Sequence, residues 1–81
     1  MADVIALLEK EYMNQWSLDD LVKTANMSKG NLIRIFKNAT NQTPMEYLLD
    51  IRMQRAMELL SKTDFTVTEI AYQVGFGDSN Y

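Results

Sequence analysis

The stretch Trp16-Ser17-Leu18-Asp19-Asp20-Leu21-Val22 returns 49 residues later as Phe65-Thr66-Val67-Thr68-Glu69-Ile70-Ala71. The register then holds, with Ala25-Asn26-Met27 set against Val74-Gly75-Phe76. Each copy reads as the start of a helix. Ser17 and Thr66 carry hydroxyls able to accept from the free N–H groups of a first turn, and an acid, Asp20 or Glu69, follows three residues later. Thr66 with Glu69 fits the reciprocal capping box, whereas the shorter Asp20 predicts a weaker version. An aromatic, Trp16 or Phe65, precedes each cap, placed to pack on Leu21 or Ile70 as a hydrophobic staple.

After two turns each helix meets a residue that tolerates positive φ, Asn26 or Gly75. An apolar residue follows, and then a fresh cap, Ser28 or Asp78. A short helix, a tight turn and a second capped helix spell a helix-turn-helix. Its appearance twice at one offset is a much stronger signal than either copy alone.

The remaining segments also read as helical. Asp3 is placed to cap a first helix whose Val4, Leu7, Leu8 and Tyr12 share a face. Thr43-Pro44 puts proline at a helix start. From there Tyr47, Leu48, Ile51, Met53, Ala56, Leu59 and Leu60 support a long helix to about Ser61. No stretch keeps the period-two alternation of a strand. The expected fold is all-α: tandem helix-turn-helix units, the first over 1–43 and the second starting at 65–81, joined by a linker helix over 44–61. With 81 residues the chain forms one domain.

Composition narrows the function. The chain has neither Cys nor His, which removes disulfides, Cys-ligated zinc and the commonest general base together. No pair of carboxylates stands at a spacing suited to acid–base chemistry, so an enzyme is not expected. No metal or cofactor is expected either. The longest apolar run, Val4 to Leu8, is far too short to cross a membrane or to serve as a secretory signal, and a cytoplasmic location is expected. The six methionines read as core filler.

Net charge is −3, yet its distribution is uneven. Residues 1–20 carry −4, residues 21–43 carry +4 with no acid at all, and residues 44–81 carry −3. The basic island falls on the segment from Lys29 to about Thr40. At about 100° per residue, Leu32, Ile35, Phe36 and Ala39 form its core stripe. Gly30, Arg34 and Lys37 centre on the opposite face, flanked by Asn31, Ile33 and Asn38. That face belongs to the second helix of a helix-turn-helix, the element that meets the DNA major groove in such motifs. Arg34 has the donors for a bidentate contact to guanine or for clamping a phosphate. Asn31 and Asn38 can bond a base edge or a phosphate, and Ile33 suits a thymine methyl or a protein surface. Lys29 and Lys37 suit phosphates, which fix position without reading sequence. Ordinary surface solubility competes with each assignment. Arg52 and Arg55, beside Asp50 and Glu58 on the linker helix, suit salt bridges within that helix or to its neighbours.

Several spaced motifs agree with one family. The run Ser28-x-x-x-Leu32-x-Arg34-x-Phe36-Lys37, then Thr43-Pro44-x-x-Tyr47-Leu48-x-x-x-Arg52-x-x-x-Ala56-x-x-Leu59-Leu60, resembles the AraC/XylS-type transcription regulators. So does Ile70-Ala71-x-x-Val74-Gly75-Phe76-x-Asp78-x-x-Tyr81, and the likeness covers nearly the whole chain from Trp16 onward. The resemblance implies homeodomain-like units that present two recognition helices to successive major grooves of double-stranded promoter DNA. The second reader would include Asp78, Ser79 and Asn80, and the cap Ser28 would join the first. It also implies activation or repression of transcription, often by contact with RNA polymerase, and a sensory domain preceding the DNA-binding module. Val22 stands where the family usually has Ala, implying a slightly wider helix crossing. Gly30 and Ile33 stand where the family often carries larger or polar side chains, which leaves direct readout resting mainly on Arg34. The chain stops at Tyr81, a few residues into the second recognition helix, so Ile70, Val74 and Phe76 are expected to be incompletely covered. The alternative reading is a helical module that binds a protein partner, consistent with the acidity and the methionine content.

Overall fold

In a computed structural model that describes residues 1–76, the chain forms five helices and, among the described residues, no strand. They are α1 (Ala2–Lys10), α2 (Leu18–Ala25), α3 (Lys29–Thr40), α4 (Pro44–Lys62) and α5 (Val67–Gln73). The all-α tandem architecture expected from the repeat is present, and the linker helix runs one residue past its expected end.

The 49-residue repeat is structural as well as sequential. Ser17 and Thr66 both cap with their side chains, accepting from the backbone N–H groups of Asp20 and Glu69. Leu21 and Ile70 are both buried, and Asn26 and Gly75 both take positive φ, at 55° and 105°. Two details of the expectation need correction. Asp20 completes a full capping box, its carboxylate accepting from the Ser17 N–H at 3.0 Å, because the shorter side chain still spans one turn. The two staples also differ: Trp16 packs half-buried against the core and donates its indole N–H to the Glu11 carbonyl at 2.8 Å, whereas Phe65 stays exposed.

The first core is built from Val4 and Leu8 of α1, Leu21 of α2, Leu32 and Phe36 of α3, and Leu48 of α4. Phe36 sets its ring edge on Tyr47, with centroids 5.4 Å apart. Tyr47 in turn donates its hydroxyl to Glu9 at 2.8 Å, tying α4 to α1. The α1 helix starts one residue after Met1, so Asp3 lies in its first turn, where it favours the helix dipole instead of capping as expected.

Arg52 departs most from expectation. It is 3% exposed and lies on the inward line of Pro44 and Leu48, four residues apart along α4. Its Nε donates to the Tyr12 carbonyl at 2.9 Å, and an Nη donates to the Asn14 carbonyl at 2.8 Å. Its guanidinium also lies over the Phe76 ring, 5.5 Å from the centroid. The expected salt bridge within α4 belongs instead to Arg55, which meets Glu58 at 3.4 Å. Gly75 presses its backbone into the same junction. A Cβ there would fall 3.0 Å from the Tyr12 carbonyl oxygen and 3.1 Å from the Met13 Cα. Gln15 adds a hydrogen bond to the Gly75 carbonyl at 3.1 Å.

This junction explains a further correction. Ile70 and Val74 are buried, at 2% and 0% exposure, and Phe76 is half-buried on Arg52. Phe76 thus remains incompletely covered as expected, beside an open apolar hollow lined by Met53, Ala56, Leu60, Val67, Ile70 and Ala71, and Leu49 and Met57 are exposed on α4 as well.

Two outcomes follow. Replacing Arg52 by Met strands the part-buried Tyr12 carbonyl, whereas the Asn14 carbonyl keeps the Trp16 N–H at 3.0 Å, so chemical denaturation of that variant should show a loss of about 1–3 kcal/mol. Arg52→Lys should rescue it only in part, since one ammonium cannot reproduce the planar fork. The second outcome concerns acid. The capping bonds from Ser17, Thr43 and Thr66 hold the carboxyls of Asp20, Glu46 and Glu69 below their ordinary values. A depressed folded pKa means stability that is complete above the unfolded value and is lost as pH falls through the folded one. Tm should therefore drop below about pH 4.5 more steeply in the wild type than in Glu46→Gln/Glu69→Gln, where the amides keep the cap but cannot titrate.

Candidate nucleic-acid interface

The α2–α3 pair forms the complete helix-turn-helix. Asn26 ends α2 in the left-handed conformation (φ 55°, ψ 46°), and Met27 then carries the chain to Ser28. Ser28 caps α3 by accepting from the Asn31 N–H at 3.2 Å. The inner face of α3 is fixed by Leu32 and Phe36, both fully buried. With that face locked, the outer face has no freedom of rotation.

On the outer face stand Lys29, Gly30, Asn31, Arg34, Lys37 and Asn38, all exposed. Ile33 is half-buried at its margin, so only part of that side chain is available to a ligand. Ala39, expected on the core stripe, is exposed instead, because the last residue of α3 to join the core is Phe36. Asp78, Ser79 and Asn80 lie outside the described residues.

The electrostatics favour an anionic partner. The α3 helix contains no acid, and among the described residues the one ion pair is Arg55–Glu58, remote from it in the chain. At the start of α4 the Glu46 carboxyl is held below its ordinary value by its bonds to the Thr43 N–H and hydroxyl, with a smaller contribution from Lys37. Arg34 donates from an Nη to the Asn31 Oδ1 at 3.3 Å, one turn earlier. This contact restrains the guanidinium while leaving its other donors outward. Sequence reasoning placed both residues on the face but missed that they act as a pair. Their spacing of three, which makes helical neighbours, was the available signal.

Beyond this face, the described residues include no helix long and apolar enough to cross a membrane. They also offer no cluster of three or more metal-ligating side chains.

A family model described as a helix-turn-helix domain matches residues 21–81. The transcriptional activator RhaS of Enterobacter sp. is 38% identical over 78 residues, covering 96% of this chain and 28% of RhaS. The chain thus spans under a third of that relative's length. Among solved structures, the C-terminal domain of the two-component response regulator yesN from Fusobacterium nucleatum superposes with a TM-score of 0.89. It is 36% identical and covers 99% of this chain and 84% of that one. The DNA-binding domain of AdpA, solved in complex with a target DNA, superposes with a TM-score of 0.88 at 31% identity, covering 93% of this chain and 68% of that one. With the repeat, the α2–α3 geometry and this match in agreement, the chain belongs to the AraC-type helix-turn-helix family of DNA-binding domains from transcription regulators.

Proposed function

We propose that the protein regulates transcription by docking α3 in the major groove of double-stranded promoter DNA, with Arg34 as its principal base reader. The observation that carries this reading is the acid-free outer face of α3, aimed away from the core by Leu32 and Phe36. Arg34 offers parallel donors suited to the O6 and N7 acceptors of guanine, and Asn31 limits the rotamers it must give up on binding. Lys29, Lys37, Ser28 and Asn38 supply phosphate contacts, while Gly30 and Ile33 line the surface that faces the base edges. In this reading residues 1–43 form the first reading unit and α4 the spacer. Residues 65–81 begin a second unit, in which Asp78, Ser79 and Asn80 contact DNA.

The likeness to a response-regulator C-terminal domain supports a preceding sensory domain in the whole protein. The likeness to RhaS, a transcriptional activator, supports activation; contact with RNA polymerase is the route proposed for it. A non-enzymatic, cytoplasmic regulator fits both. The acidic segments on either side of the basic island confine DNA attraction to one face, so a net charge of −3 is compatible with binding.

The test is a fluorescence anisotropy titration on a duplex from the regulated promoter. Arg34→Ala should weaken binding by about 1–3 kcal/mol, and by more on the promoter duplex than on unrelated DNA. Lys29→Ala should weaken both equally and flatten the salt dependence by about one unit of slope. Salt-insensitive binding, unchanged in either variant, would assign the face to a protein partner.

A further inference from the structure

Helix α4 carries an apolar face that the fold leaves open. On a helical wheel Leu49, Met53, Met57 and Leu60 fall within an arc of about 80°, along about three turns of the helix. Val67 of α5 extends the face. These five side chains are between 46% and 72% exposed, although the two methionines are expected as core filler. The face also has a shape. Met53, Leu60 and Val67 border the hollow beside Phe76, which is apolar throughout and about 210 Å³ in volume. Leu49 stands outside that hollow, one turn before Met53.

Size decides what such a face can hold. The five side chains leave roughly 600 Å² of apolar surface open, at the upper end for the largest patch of a monomer and near the roughly 800 Å² that each partner gives to a stable interface. Residues 77–81 bring a single large apolar side chain, Tyr81, which is too little to cover it. None of the five is charged, so the face does not choose a partner by sign. A second copy of the chain brings an equal area of the same chemistry. It also matches the shape. A two-fold axis crossing α4 midway between Leu49 and Leu60 runs the two helices antiparallel and lays each Leu49 on Leu60 of the other copy, at the mouth of its hollow.

We infer that the chain forms a symmetric dimer through this face, with antiparallel α4 helices and Leu49 of each copy seated in the hollow of the other. The contact is isologous, so pairing consumes the face and the assembly stops at two. None of these residues belongs to the outer face of α3, and the inference does not rest on the DNA-binding reading.

Sedimentation equilibrium over a dilution series, without DNA, tests it. The wild type should pass from monomer to dimer and no further, and Arg34→Ala should behave alike. Leu49→Gln should keep the helical circular dichroism, since Leu49 is exposed in the single copy, and should raise the dissociation constant about tenfold. Added salt should strengthen the dimer, because each copy carries a net charge of −3. The pairing geometry is read by oxidising Leu49→Cys/Leu60→Cys, in a chain with no other cysteine. Within one copy these positions lie about 16 Å apart along α4, too far for an internal disulfide. Cross-linked dimer should therefore form much faster than from Gln54→Cys, which is exposed about 100° round the helix. A chain still monomeric at about 1 mM overturns the inference. So do Leu49→Gln that pairs as well as the wild type, and cross-linking no faster than that of Gln54→Cys. Association that weakens with salt, or that continues past two copies, would assign the contact to charge or to a head-to-tail surface and overturn it as well.

Discussion

The junction around Arg52 holds the molecule together, because one buried guanidinium reaches all three parts of the chain. It rises from α4, takes the Tyr12 and Asn14 carbonyls of the segment between α1 and α2, and underlies Phe76 at the turn after α5. The segment from Tyr12 to Asn14 is irregular, so its carbonyls have no helical partners of their own. Arg52 supplies donors where a hydrophobic side chain could not, and its planar fork fixes an angle as well as a distance. Gly75 fits against the same carbonyl of Tyr12 because it lacks a Cβ, and its left-handed turn is the counterpart of Asn26 in the first unit. Two similar helix-turn starts are thereby set on one spacer in a defined relation.

Rigidity at that junction has a consequence at the reading face. Leu32 and Phe36 anchor α3 to the first core, Phe36 meets Tyr47 of α4, and Tyr47 reaches Glu9 of α1. The outer face of α3 is therefore the remainder of a helix whose other side is fully committed. Lys29, Arg34 and Lys37 are exposed because Leu32 and Phe36 are not. Charge follows the same division: acids lie on α1, α2, α4 and α5, where Asp20, Glu46 and Glu69 close capping boxes, Glu9 accepts from Tyr47 and Glu58 meets Arg55, and α3 has none.

Much of this was legible in the sequence, for identifiable reasons. Helix-start residues are local signals, so the starts of α2, α3 and α5 were readable from the caps Ser17, Ser28 and Thr66, and that of α4 from Pro44. The reading helix followed from a 3.6-residue stripe with the charge opposite. What escaped was long-range. Arg52 was read as a surface ion-pairing residue because arginine is seldom buried, although its place in line with Pro44 and Leu48 was a visible clue. The burial of Ile70 and Val74 depended on a junction assembled from residues some 60 apart, as in the Gln15–Gly75 bond, which no periodicity reveals. Ala39 was placed inside by the helical wheel, but the core ends before it reaches that turn.

The central claim is that the outer face of α3 reads base edges in the major groove through Arg34. Methylation interference on a bound duplex tests it most directly, because a methyl group on guanine N7 blocks the acceptor that an arginine fork needs. The account predicts that methylation of a particular guanine N7 abolishes binding by the wild type, and that Arg34→Ala is indifferent to the same methyl group. Interference confined to the minor-groove edge of adenines, or none at any base, would contradict it.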